Sequence, residues 1–125
     1  HGWGRHHRAV LCDAEHGAAA IREHRDDVAA FVTVRLDLDG TQRALLDDLL
    51  RQAETVALEL RAQCPAADAT PDALAFLDRG EAALATSLEG LRRLRPAFET
   101  FLAALDGEQR ARVERWLAHR HGRRV

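Results

Sequence analysis

Lysine, methionine and tyrosine do not occur in the 125 residues, and there is one serine, with only two cysteines and three prolines. Each shortage narrows the field. Ser87 stands alone with no histidine at helical spacing, so a serine–base pair has no basis. No HExxH and no CxxC pair is present, so no spacing defines a closed metal site, and no glycine-rich loop is available to cradle phosphate. No run approaches the roughly 18 apolar residues of a membrane span. All the non-histidine basic residues are arginine, which reads as coding bias, because no single chemistry requires the loss of every lysine. Starting at His1 without a methionine, the chain is expected to have lost something upstream: a signal peptide, a membrane anchor, or the rest of a longer parent.

What remains is rich in Ala, Leu, Arg, Glu and Asp, a helix-forming composition of a length that suits one small domain. Net charge is −2, so bulk nucleic-acid binding is not expected, although Gly107–Val125 carries six Arg against two Glu and forms a basic C-terminal end. Residues 1–11 are His- and Gly-rich and read as a flexible segment, 12–119 as one helical domain and 120–125 as a basic tail. The first helix is expected from about Asp13 to Val34, with Ile21, His24, Val28 and Phe31 on its inner seam. The second should run from Gly40 to about Gln63, where Leu46, Leu49, Ala53, Val56 and Leu60 step 3-4-3-4. Thr70 is placed to cap a long third helix starting at Pro71 and ending near Ala104, kinked by Pro96. Along it Leu77, Leu84, Leu91 and Phe98 recur every seven residues; Leu74, Leu88 and Leu102 supply a partner row that Glu81 and Arg95 interrupt. Gly80 and Gly90 read as close-packing points. A short fourth helix is expected from Gly107 to His119. Asp47, Asp48, Glu54 and Glu59 fit the solvent side of the second helix, and Arg92, Arg93 and Arg95 a solvated face of the third.

The hexapeptide Leu38-Asp39-Gly40-Thr41-Gln42-Arg43 returns as Leu105-Asp106-Gly107-Glu108-Gln109-Arg110. Asp followed three residues later by Gln is a capping box: the carboxylate accepts from the N–H at the third helical position, and the Gln side chain returns to the Asp backbone N–H. The pattern resembles the LTxxQ-motif family, the Spy/CpxP-like helical proteins, whose Leu-Thr-x-x-Gln motif occurs twice. The match falls on Leu38 and Gln42, and on Leu105 and Gln109. Asp39 and Asp106 replace the threonine, and both residue types cap helices. The segments around Leu60–Pro65 and Arg95–Arg112 are similar too. The resemblance implies an all-α, four-helix periplasmic protein in which an antiparallel hairpin is crossed by the long third helix, often as a cradle-shaped antiparallel homodimer. Its members act as ATP-independent chaperones or as metal-responsive regulators of envelope stress. No enzymatic activity and no organic cofactor is expected of this chain, which has no constellation for catalysis.

Cys12 and Cys64 are equally distant in sequence from residue 38, the turn of the first hairpin, so antiparallel packing brings both to its open end. There a disulfide could close, given an oxidising compartment; two separate thiols, or metal ligation, are the alternatives. His1, His6, His7, Cys12 and His16 are weak metal candidates for zinc, copper, nickel or cobalt, with Cys12 and His16 one helical turn apart. Two functions are therefore expected to compete: a periplasmic holder of unfolded or aggregation-prone clients, and a metal-responsive sensor domain, tethered to the membrane if an anchor precedes His1. The motif residues Asp39, Gln42, Asp106 and Gln109 are expected to build architecture and not to touch a substrate.

Overall fold

The computed structural model describes residues 12, 17–65, 70 and 72–122, with the last three side chains left aside. The architecture is all-α, with no strand among the described residues: α1 (Gly17–Leu36), α2 (Gly40–Arg61), α3 (Ala73–Ala103) and α4 (Gly107–Gly122). The expected starts at Asp13 and Pro71 lie outside the described residues. Helix α2 is central, packed by α1 on one side and α3 on the other.

Helix α1 continues through its β-branched stretch and ends two residues later than expected, because its end is built by a specific turn. Asp37 takes φ 52°, in the left-handed region. Its N–H donates to the Val34 carbonyl at 3.3 Å, and the Leu38 N–H donates to the Thr33 carbonyl at 3.1 Å. This 6→1, 5→2 pair is a Schellman ending, with Asp37 where glycine is commonest. It turns the chain so that Leu38 is buried beside Leu36, the most buried large side chain described.

The inner face of α1 is rotated from the expected one. His24 is exposed, and its level is filled by the half-buried Arg25, giving an inward stripe of Ile21, Arg25, Val28, Val32 and Leu36. Arginine can occupy such a position because its aliphatic stem packs while the guanidinium reaches a partner. Here the partner is Glu54 of α2, at 2.6 Å. Glu54 is thus an interhelical residue with only 16% of its side chain exposed, not a solvent-side one.

The α2 seam is as expected. Leu46 is buried, and Leu49, Ala53, Val56 and Leu60 are half-buried. Helix α3 meets it with small residues. Ala83, Gly90 and Ala97 point inward, and a Cβ on Gly90 would lie 2.5 Å from Val56 Cγ1. Gly80, by contrast, has open space where its Cβ would be. The leucine row that recurs every seven residues faces outward. Asp72, not Thr70, caps α3, its carboxylate accepting from the Leu74 N–H at 3.2 Å. Pro96 sits inside α3 without ending it. Leu36, Leu38, Leu46 and Phe101 form the buried core, with Val32, Leu45, Leu49, Leu50, Leu105 and Val113 packed around it. It lies where the α1–α2 and α3–α4 corners meet.

Candidate functional site

Both halves of the repeat form the capping box that their spacing predicts. The Gln42 N–H donates to Asp39 Oδ1 at 2.8 Å, and the Asp39 N–H donates to Gln42 Oε1 at 3.0 Å. In the second copy the Gln109 N–H donates to Asp106 Oδ1 at 2.8 Å, and the Asp106 N–H to Gln109 Oε1 at 2.9 Å. The two boxes face one another. Gln42 Nε2 donates to Gln109 Oε1 at 2.9 Å, and Gln109 Nε2 donates back to Gln42 Oε1 at 3.2 Å. The remaining donor of each amide crosses to the opposite corner: Gln42 to the Ala104 carbonyl and Gln109 to the Leu36 carbonyl, both at 2.9 Å. Those carbonyls are C-terminal groups of α3 and α1 that have no donor within their own helices.

Each glutamine amide therefore uses two acceptor sites and two donors. Such full satisfaction is what a buried polar network requires; Gln42 and Gln109 are only 7% and 8% exposed. Arg112 extends the lock, donating to the Arg35 carbonyl at 2.9 Å and pairing with Glu108 at 3.0 Å.

Pairs of matching sequence copies, 67 residues apart and facing each other across the core, are the defining geometry of this chain. The sequence profile described as "LTXXQ motif family protein" matches residues 24–116, most of the chain and both copies. The chain belongs to the LTXXQ motif family. No curated protein and no solved structure gave a significant match.

In this LTXXQ protein the motif glutamines are buried and mutually saturated, which suits a structural clasp. The exposed chemistry lies elsewhere. Phe31 and Trp116 pack with ring centroids 5.9 Å apart and planes tilted by 44°, and the Arg35 guanidinium lies 5.2 Å over the Phe31 ring. Val34 and Leu117, next to these residues in sequence, are also exposed. Ion pairs join the helices at the surface. Arg93 meets Glu59 at 2.5 Å, and Arg25 contacts Asp26 at 3.1 Å as well as Glu54. The Arg25 guanidinium is held above its ordinary pKa by its hydrogen bond to Asp26 and by the Glu54 charge; Arg93 is raised likewise by Glu59. A hollow of about 390 Å³ between α1 and α2 is lined by Arg25, Asp26, Asp47 and Arg51 with Ala29 and Leu50. Its opposite charges lie side by side, and no nucleophile lines it.

Cys12 and Cys64 form a disulfide with Cα atoms 5.5 Å apart. This removes Cys12 from the candidate metal ligands. His1, His6, His7 and His16 lie outside the described residues. Among the described residues, no three His, Cys, Asp or Glu side chains come together as a metal-binding group. Nor is any described helix long and apolar enough to cross a membrane. Three features were not foreseen: the cross-pairing of the glutamines, the Arg25–Glu54 bridge and the Phe31–Trp116 contact. Only the second has a sequence signal, since Arg25 falls at a position of the α1 stripe where an apolar residue belongs.

Proposed function

We propose that this chain works in the cell envelope as a nucleotide-independent holder of unfolded or aggregation-prone proteins. The observation that carries the reading is an inverted apolar balance. Four large apolar side chains are buried among the described residues, while Phe31, Val34, Trp116, Leu117 and a full row on α3 are exposed. Scattered single apolar residues on a surface need no explanation, but contiguous ones mark binding surfaces. Phe31 and Trp116 offer an aromatic platform beside Arg35, whose carbonyl Arg112 holds, which suits chains that pair apolar segments with acidic ones. The Cys12–Cys64 disulfide supports an oxidising compartment, and family membership supports the periplasm.

The test is light scattering from guanidine-denatured malate dehydrogenase diluted into buffer. Near-stoichiometric amounts of the chain should suppress aggregation without nucleotide, and Phe31→Ser or Trp116→Ser should weaken the effect severalfold. No suppression at any salt concentration would reject the reading.

A further inference from the structure

Helix α4 starts inside the fold and ends outside it. Its inward stripe opens on the buried Gln109, passes the half-buried Val113 and reaches Trp116 and Leu117, which are 37% and 50% exposed. From Glu114 to His119 every side chain is exposed, so this stretch lies beyond the reach of the core. On α1, the spacing of Phe31, Val34 and Arg35 puts them on one face, and Phe31 meets Trp116 across the two helices. Val34 is 79% exposed and Phe31 52%. Two helices thus share an apolar patch, with the Arg35 guanidinium over Phe31.

Charge is segregated towards the same helix. Residues 107–125 carry six Arg against two Glu, net +4, whereas residues 1–106 carry twelve Arg against eighteen Asp and Glu, net −6. A chain divided in this way turns its basic end towards a negative surface and its acidic remainder away from it. Arg110 is exposed and lies two turns before Leu117 on one line of α4. Neither its guanidinium nor that of Arg35 has a carboxylate partner among the described residues.

We propose that the α1–α4 patch docks on an anionic lipid surface, with Val34, Trp116 and Leu117 entering the headgroup layer and Arg35 and Arg110 at the phosphates. Such a surface offers both complements at once, apolar chains lying just beneath a plane of negative charge. Tryptophan suits that depth because its ring is apolar and its N–H polar. Arginine suits the rim because its stem covers apolar surface while its head stays with the phosphate. A nucleic-acid duplex supplies phosphates but nothing that buries Val34 and Leu117. The attachment is peripheral, since no described helix is long and apolar enough to cross a membrane.

Lipid docking goes beyond client holding and is read with no client present, so either can fail alone. The test is co-sedimentation of the oxidised chain with vesicles of phosphatidylglycerol mixed equally with phosphatidylcholine, and with vesicles of phosphatidylcholine alone. Circular dichroism is the folding control. The mixed vesicles should bind about tenfold more tightly or better, and high salt should weaken the binding. R35Q and R110Q should each weaken it roughly fivefold, and V34S and L117S severalfold at unchanged helix content. In the variant W3F, which leaves Trp116 as the one indole, emission should move to shorter wavelength on binding and be quenched by brominated acyl chains. No binding, equal binding to both vesicles, arginine variants that bind like the wild type, or a Trp116 emission unmoved by lipid would each overturn the proposal. Binding to heparin without binding to vesicles would assign the basic end to a soluble polyanion and overturn it too.

Discussion

The glutamine pair concentrates more of this fold's specificity than any other two residues. Replacing Gln109 by Leu leaves the Asp106 N–H and the Leu36 carbonyl without their partner and strips the buried Gln42 amide of one donated and one accepted bond. Unsatisfied buried groups cost about 1–3 kcal/mol each, so a loss of about 3 kcal/mol is expected, with partial relaxation included. Gln42→Leu should cost a similar amount. If the two boxes act as one clasp, the double variant should cost about 1–2 kcal/mol less than the sum. Urea unfolding of the four proteins in the cycle measures this, and strict additivity would show two independent caps. Asp37 is a second residue with a sharp expectation. It occupies a left-handed backbone conformation that costs most residues about 1–2 kcal/mol, and it sets a carboxylate at the negative end of α1. Asp37→Gly should raise the melting temperature by a few degrees, equivalent to about 1 kcal/mol, while Asp37→Val should lower it. Capping is legible in sequence because its geometry is confined to four consecutive residues. The cross-pairing is not: nothing within Leu38–Arg43 says that its glutamine has donors to spare, or that the second copy lies opposite.

At the scale of helices, the outcome turned on which face each one buries. The α2 seam was readable because apolar residues sit on one stripe and charges on the other, so periodicity and burial agree. On α3 they disagree. The large residues form the cleaner repeat, yet the small ones, Ala83, Gly90 and Ala97, face α2 and let the helices approach closely. A seven-residue leucine pattern says that a helix has a partner, not whether the partner belongs to the same chain. His24 on α1 shows the same ambiguity, since an arginine with an acidic partner outranked it for the inner position. The two α3 glycines separate these effects. Gly80→Ala meets open space and should add about 0.8–1 kcal/mol of helix propensity, raising the melting temperature in dilute solution. Gly90→Ala gains the same propensity but drives a methyl into Val56, at a cost of about 1–3 kcal/mol. It should melt lower than wild type. Equal shifts for both variants would mean that the α2–α3 contact is looser than the distances imply.

For the molecule as a whole, a core of four buried side chains among the described residues is small. Net stability must draw on other sources, namely the glutamine clasp and the covalent closure of the hairpin. The covalent contribution can be isolated. Cys12 and Cys64 close a loop with a sequence separation of 52. In the chain-entropy view, tying a loop of that length stabilises the fold by about 4 kcal/mol, because the unfolded chain loses conformations it would otherwise explore. For a chain of this size that corresponds to roughly 15 °C in melting temperature. The pairing was legible for a topological reason: both cysteines are equidistant from the α1–α2 turn, so an antiparallel hairpin must bring them to one end. The variant Cys12→Ser/Cys64→Ser should therefore melt roughly 15 °C lower and show the same melting curve with or without dithiothreitol. Adding dithiothreitol to the wild type should move it to the variant's curve. The slope of unfolding free energy against urea should rise in the variant, since an untied chain exposes more surface when it unfolds. A variant that melts with the wild type would place the α1–α2 packing and the clasp, not the disulfide, in control of the hairpin.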